Sequence, residues 1–366
     1  MMDQYRRAND SLHPTPRAVE RAVTGERPRR KRKPLKALVP AGVAAVVAAA
    51  LLVTGVPGGG EGGPLVANAR AIAQPVYPDL PQCPAEPAGG SQTAWEQVNE
   101  DYDAYWNAWR EYRDEVPALY DTPELKAALA DFSGKSTALA LSGEDNRVYS
   151  PVSLWFALAM LAETTGGETR QQVLDALGAE DLDQLRDWVD ILWHAIYVDD
   201  GTATTLLGNS IWLNENVTFH QDVLEALAEH YYAGSYQVTM GTDEADQALS
   251  DWVAEQTKGL IGSDGDVLHT KADTLNILAS TLYYKAGWRD EFMENLTEED
   301  IFTAADGTEI CVEFMHRTQD ATFLRQNGYQ AASLSTTSGE MIFVLPDEGV
   351  TPADLLADPN FLEEVS

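Results

Sequence analysis

Cysteine is scarce in this chain: only Cys83 and Cys311 occur among its 366 residues. Two cysteines form at most one disulfide, which the sequence leaves open, and they do not make the framework of a disulfide-rich scaffold. Neither belongs to a CxxC pair or to a cluster with histidine, so the sequence offers no thiolate site for a metal ion. We therefore expect neither a metal nor any other cofactor.

Basic residues are also few, with 25 Lys and Arg against 58 Asp and Glu. Residues 1–56 hold 11 of the basic and 4 of the acidic residues, which leaves 14 against 54 and a net charge of about −40 for the remainder. Because such a surface repels phosphate groups, we expect no nucleic acid as a partner. The charge is typical of a soluble extracytoplasmic domain, and attraction of a basic partner is the alternative.

Local catalytic motifs are absent from the sequence. It contains no HExxH, P-loop, GxGxxG or GxSxG pattern. The histidines are scattered, with no acid or nucleophile at a shared spacing: His13, His194, His220, His230, His269 and His316. A triad assembled from distant residues stays open, but the sequence favours a protein that is not an enzyme.

The N-terminal region joins a basic segment, residues 1–36, to an uncharged segment, residues 37–56. Twenty apolar positions match the thickness of a bilayer, which predicts a transmembrane helix over 37–56 with the basic side in the cytoplasm and the C-terminal domain outside. A signal anchor is favoured because both segments are long for a cleaved signal peptide. If the segment is cleaved, we expect secretion instead.

The next two regions connect this segment to the main domain. Residues 57–90 are rich in proline and glycine and predict a linker. Residues 91–122 carry aromatic residues at steps of three and four, which predicts an amphipathic helix that packs on the domain, or less favourably a ligand-stacking platform. Its aromatic and apolar face comprises Trp95, Val98, Tyr102, Tyr105, Trp106, Trp109, Tyr112 and Val116.

From residue 123 to 366, helical patterns come first and extended patterns dominate later, which is typical of an α+β fold. The strand predicted over 275–284 is apolar on both alternating faces, as in a sheet covered on both sides. The helix over 151–162 follows a Ser-Pro-Val-Ser sequence. Ser150 is typical of an N-cap, and Pro151 is typical of the first helical position.

Six ordered segments between residues 123 and 366 resemble the serpin family of protease inhibitors. The region in which they lie covers about two thirds of the chain, and the resemblance implies a multi-helix α+β domain with parts of sheets A, B and C. The segments are NRVYSPVSLWFALAMLAETTGGETRQQVLDALG, GNSIWLNENVTFHQDVLEALAEHYYAGSYQVTM, ADQALSDWVAEQTKGLI, NILASTLYYKAGWRDEF, TEEDIFTAADGTEICVEFMHR and EMIFVLPDEG.

The resemblance implies an inhibitor of serine or cysteine proteases that acts as a mechanical trap. In inhibitory serpins a reactive loop is cut and then inserts as a strand into sheet A, so the sheet must part. Carried over by position, the shutter that latches the sheet comprises Ser150, Pro151, Ser153 and Ser280. The breach, where the loop first enters, comprises Trp288 and Lys285.

Two departures from the family pattern bear on this hypothesis. The family usually has asparagine at the position of Ser280, and serine has a shorter reach and fewer donors, so the latch is expected to be weaker or rebuilt. The reactive loop and the C-terminal third of the fold are expected to be missing from residues 123–366. That expectation leaves the strand over 275–284 with an unpaired edge, and it makes a non-inhibitory binding or structural module the alternative function.

Overall fold

The strand predicted over residues 275–284 pairs with the strand of residues 203–214 at the centre of the largest sheet. The computed structural model describes residues 45–47, 69–85, 92–116, 118–143, 146–262, 269–304, 307–318, 322–358 and 360–365. The strands of this sheet are β1 (Ala45–Val47), β2 (Arg70–Ala73), β3 (Val198–Asp199), β4 (Ala203–Asn214), β5 (Ala233–Val238) and β6 (Asn276–Ala286). Their order is β1-β6-β4-β5-β2, with β3 paired to β4.

The helices that accompany the sheet follow the apolar periodicity of the sequence. They are α1 (Gln92–Glu115), α2 (Pro123–Ala140), α3 (Pro151–Thr164), α4 (Gly167–Leu177), α5 (Leu182–Ile196), α6 (Gln221–His230) and α7 (Asp243–Gln256). Helix α3 is apolar all round, because it is enclosed between the sheet and its neighbouring helices. Helix α4 ends at Gly178, whose left-handed φ of 76° closes the helix.

Strand β6 is buried on both faces over Asn276–Thr281, as the sequence predicts. Leu278 faces the core built by α3 to α6, whereas Ile277 and Ala279 face a second core built by α7 and its Trp252. Beyond this stretch the strand emerges, and Tyr284 is 44% exposed. The prediction of a strand covered on both sides is therefore confirmed for the first half of β6.

The outer edge of β6 is partly covered. Strand β1 pairs with it antiparallel, with Ala45 opposite Ser280 and Val47 opposite Leu278. The prediction of an unpaired edge is therefore wrong along these residues, because an apolar part of the N-terminal segment supplies the missing strand. The pairing satisfies backbone donors and acceptors that would otherwise be unpaired.

The predicted transmembrane helix is not seen in the part of the chain that the structure describes. No helix there is both long and apolar enough to cross a membrane. Of residues 37–56, only 45–47 are described, and they form β1. The basic segment 1–36 lies outside the described residues, as does the linker apart from residues 69–85.

The aromatic helix α1 covers Gln92–Glu115 and is shorter than the predicted segment 91–122. It packs on the domain through three buried residues, Val98, Tyr105 and Trp109. The predicted face is wrong at Trp106, which is 54% exposed. The steps of three and four place more aromatic residues in the sequence than one face of a helix can bury.

The later strands form two smaller sheets. In one, β9 (Thr322–Gln326), β10 (Tyr329–Thr336) and β11 (Gly339–Pro346) lie in the order β11-β10-β9. It packs with two short helices, α8 (Pro352–Leu356) and α9 (Phe361–Val365), around Tyr329 and Phe361. A separate compact unit, Trp288–Thr322, contains the antiparallel pair β7 (Glu298–Thr303) and β8 (Glu309–Phe314).

Candidate functional site

The Ser-Pro-Val-Ser sequence forms the start of α3. Ser150 is extended, with φ −115° and ψ 103°, and Pro151 is the first helical residue, so the predicted N-cap is confirmed. The Ser150 hydroxyl oxygen accepts a hydrogen bond from the Ser153 backbone N–H at 3.1 Å and another from the Ser153 hydroxyl at 2.9 Å. Ser153 is only 1% exposed, so both hydroxyls bond at the buried end of the helix.

Ser280 lies in the middle of β6 and is fully buried. It lies two residues from both Leu278 and Leu282, which pack against the α3 side of the sheet. Because every second residue of a strand faces the same side, the Ser280 side chain points to that side as well. Its hydroxyl has no hydrogen-bond partner among the described residues. Ser280 is therefore not bonded to Ser150 or Ser153, and the shutter role of these residues stays a prediction.

Asn209, on β4, is the polar residue directly opposite Ser280. It lies on the same face as Leu207 and Ile211, which belong to the α3-side core. Its Nδ2 donates to the Tyr231 carbonyl oxygen at 2.9 Å, whereas its Oδ1 has no partner in the described part of the chain. Asn209 was not among the residues predicted from the sequence, although a polar side chain at an inward position of an apolar strand was the signal.

A second buried polar cluster lies in the same core. Glu163, 5% exposed, accepts two hydrogen bonds from the Arg186 guanidinium, at 3.0 Å from Nε and 2.7 Å from Nη2. The Tyr231 hydroxyl donates to Glu163 Oε2 at 2.9 Å. Burial, followed by the Glu163 charge, raises the pKa of Tyr231, so the hydroxyl remains a donor. The side-chain polar groups of this cluster therefore have partners.

The two predicted breach residues lie at the far end of β6 and just beyond it. Lys285 is exposed and lies opposite Thr204 in the sheet. Trp288 belongs to the separate unit and is half-buried, with its ring at 76° to the Phe292 ring and 5.6 Å between centroids. Their membership of one entrance for an inserting strand stays a prediction.

Both thiols are free, with Cys83 half-buried and Cys311 exposed. No group of histidine, cysteine, aspartate and glutamate side chains within the described ranges is arranged to hold a metal ion. The described site therefore consists of hydroxyl, amide and carboxylate groups that hold elements of the fold together.

Comparison with known proteins identifies the family of this chain. The sequence model of the serpin (serine protease inhibitor) family matches residues 130–358. The chain therefore belongs to the serpin family. Its six-, three- and two-stranded sheets are parts of the serpin sheets A, B and C. Family members are generally not catalytic enzymes.

Over the aligned residues, the relatives found by sequence are identical to this chain at about a quarter of the positions. Serpin-ZX of Arabidopsis thaliana is 27% identical over 247 residues, which are 63% of this chain and 62% of the relative. Serpin-Z1C of Triticum aestivum is 28% identical over 240 residues, 61% of this chain and 60% of the relative. The chain thus spans about three fifths of the length of these curated relatives.

Solved structures agree on the fold. An Arabidopsis serpin in its native stressed conformation matches with a TM-score of 0.60 and 24% identity, over 66% of this chain and 67% of that one. The thermophilic serpin tengpin in its native state matches with a TM-score of 0.57 and 23% identity, over 63% of this chain and 59% of the other.

Proposed function

We propose that this chain is part of an inhibitor of serine or cysteine proteases that works by insertion of a cleaved loop into sheet A. The observation that carries the proposal is the polar pair at the centre of that sheet. Ser280 and Asn209 lie opposite each other on β6 and β4, and each keeps a buried polar atom that has no partner in the described part of the chain. A sheet that has to part benefits from a centre that is not fully bonded.

The physical reason is the cost of an unsatisfied buried group. Each such atom costs about 1–3 kcal/mol relative to a hydrogen-bonded one. Water or an incoming strand that reaches Ser280 Oγ or Asn209 Oδ1 recovers part of that cost. The two unsatisfied atoms therefore make the closed sheet less stable than a fully bonded one would be, which is the direction that the insertion mechanism requires.

The test is the formation of a covalent complex with a protease. The protein is expressed from its own gene, with any residues encoded after Ser366, and mixed with a panel of serine and cysteine proteases. We expect an SDS-resistant complex with at least one of them, at the summed mass of the two partners after loss of the cleaved peptide. Cleavage without a stable complex across the panel would establish a non-inhibitory module instead.

The location at the outer face of a membrane is a separate proposal. It is supported by the contrast between the basic residues of 1–36, the uncharged segment 37–56 and the acidic remainder. The proposal requires Ala45–Val47 to leave the edge of β6 in the membrane-bound form, because a segment paired with β6 cannot span a bilayer at the same time. Fractionation of cells that express the whole chain decides the matter. We expect the protein in the membrane fraction with its domain open to external protease, and recovery of uncleaved protein in the soluble fraction would overturn the proposal.

A further inference from the structure

A region that precedes the family match is bound to the serpin domain at several points. We call residues 69–116 the N-terminal strap; the family match begins at residue 130. Its strand β2 adds to the edge of sheet A beside β5, with Ala71 opposite Tyr236. Its helix α1 is fixed by two tyrosine hydroxyls. Tyr105 donates to Asp200 Oδ2 at 2.7 Å, and the Tyr112 hydroxyl lies 2.6 Å from His194 Nδ1.

The strap reaches a tyrosine with unusual backbone geometry. Tyr232 has a φ of 51°, in the left-handed region that a bulky residue seldom adopts. Its ring stacks on Trp193 with 3.8 Å between centroids. Its hydroxyl donates to Asp190 at 3.0 Å and lies 3.0 Å from His194 Nε2. The contacts to Trp193, Asp190 and His194 hold a conformation that costs of the order of 1–3 kcal/mol.

One histidine joins the strap to this residue. His194 contacts Tyr112 of α1 through Nδ1 and the Tyr232 hydroxyl through Nε2. Burial and the Asp190 carboxylate raise the pKa of Tyr112 to about 12, so its hydroxyl stays protonated. The Tyr112 hydroxyl therefore keeps the proton through which it hydrogen-bonds with Nδ1 of His194, while Nε2 faces Asp190 and Tyr232. The strap also supplies Tyr77, whose ring stacks against that of Tyr232 with 6.3 Å between centroids.

The neighbour of Tyr232 in the chain leads to the centre of sheet A. Tyr231 is fully buried. Its carbonyl oxygen accepts the hydrogen bond from Asn209, and its hydroxyl donates to Glu163. Asn209 in turn lies opposite Ser280, where the sheet is expected to part. A change in the backbone of Tyr231 and Tyr232 would move the carbonyl that orients Asn209.

We propose that the N-terminal strap restrains the opening of sheet A by holding Tyr232 in its left-handed conformation, which fixes the carbonyl group of Tyr231 and so keeps Asn209 in place. The inference rests on the proposed function only in that an inserting strand needs an open sheet. The restraint is a property of the protein alone, so it is measured without a protease. Failure to form a protease complex would leave it standing.

The test is hydrogen exchange of β6 in the full chain, measured by mass spectrometry on peptides that cover Asn276–Thr281. Tyr112→Phe removes the hydroxyl that reaches His194 and keeps the aromatic ring. We expect exchange in these peptides to become about fivefold faster, as the loss of one buried hydrogen bond allows. Tyr105→Phe is the matched control, because it removes a similar hydroxyl from the same helix but its partner, Asp200, does not contact Tyr231 or Tyr232.

A double-mutant cycle then tests the route. Tyr232→Phe alone is expected to speed exchange in β6, and Tyr112→Phe in that background is expected to add little. Tyr105→Phe is expected to change exchange in β6 less than Tyr112→Phe does. The proposal is overturned if Tyr112→Phe speeds exchange in α1 but not in β6. It is also overturned if the factors by which Tyr112→Phe and Tyr232→Phe speed exchange in β6 multiply in the double variant. The same holds if Tyr105→Phe speeds exchange in β6 as much as Tyr112→Phe does.

Discussion

The core on the α3 side of sheet A contains two polar clusters that differ in how well they are bonded. Glu163, Arg186 and Tyr231 satisfy one another through short hydrogen bonds. Ser280 and Asn209, at the centre of the sheet, leave a hydroxyl and an amide oxygen without partners among the described residues. The first cluster joins helices α3 and α5 to Tyr231, which follows the end of α6, and the second lies between two strands.

The difference assigns opposite mechanical roles to the two clusters. A fully bonded buried charge is costly to break, because removal of one partner leaves the other uncompensated. A poorly bonded polar pair adds little to the side-chain interactions that hold β6 in place, although the backbone of β6 is paired with β4 over eleven residues. We therefore expect the helical side of the domain to remain fixed when sheet A parts, and the seam between β6 and β1, which pair over only three residues, to be the part that moves.

Breaking the bonded cluster should have the largest effect. Glu163→Ala leaves the Arg186 guanidinium and the Tyr231 hydroxyl without their shared acceptor, and we expect a loss of about 3 kcal/mol in the free energy of unfolding. This is the low end for a buried pair, because the Arg186 side chain is 28% exposed. Urea unfolding measures it. Asp183→Ala is the control, since Asp183 is 92% exposed and its contact with Arg186 should contribute less than about 0.5 kcal/mol.

Removing the cap of α3 should have an intermediate effect. Ser150→Ala deletes the acceptor for both Ser153 groups, and we expect a loss of about 1 kcal/mol in the free energy of unfolding. If the shutter assignment holds, the variant also polymerises faster on mild heating. Ser142→Ala is the control, because it removes an exposed hydroxyl at the end of α2. Lower stability with unchanged polymerisation would restrict Ser150 to capping.

Acid should weaken the attachment of α5 to Tyr232 by a smaller amount. The hydrogen bond with His194 lowers the pKa of Asp190, against the opposing effect of burial. Because the pKa of Asp190 is lower in the folded protein, its carboxylate stabilises the fold at pH values above the pKa of a free aspartate, about 4. This stabilisation is lost as the pH falls through the pKa of Asp190 in the folded protein. The difference in unfolding free energy between wild type and Asp190→Asn should thus shrink from pH 6 to pH 3. If the difference in unfolding free energy between wild type and Asp190→Asn stayed constant from pH 6 to pH 3, it would contradict the lowered pKa of Asp190.

Substitution within the unbonded pair should have the smallest effect. Ser280→Ala removes a buried hydroxyl that has no partner among the described residues. The relief of its desolvation cost and the loss of its packing oppose each other, so we expect a net change within about 0.5 kcal/mol. Ser153→Ala is the matched control, since it removes an equally buried hydroxyl that donates to Ser150, and it should cost about 1 kcal/mol. A large loss in the free energy of unfolding for Ser280→Ala would show that the Ser280 hydroxyl is hydrogen-bonded in solution.

Local features of this domain could be predicted from the sequence, whereas its long-range contacts could not. The cap at Ser150 and the buried strand β6 follow from adjacent residues whose geometry is fixed by the backbone. The pairing of Glu163 with Arg186 joins residues 23 positions apart on different helices. The position of Asn209 opposite Ser280 depends on strand register, which the sequence of one strand does not reveal.

Hydrogen exchange of the wild-type protein tests the contrast between the two clusters most directly. Peptides covering Asn276–Thr281 report on the seam, and peptides covering the end of α3 and the start of α5, around Glu163 and Arg186, report on the bonded cluster. We predict that the backbone amides of the seam exchange through a partial opening of the sheet. When each exchange rate is divided by the intrinsic rate of the same peptide, the seam should exchange at least tenfold faster than the bonded cluster. Equal protection of both regions, limited by global unfolding alone, would contradict a sheet that parts at this seam.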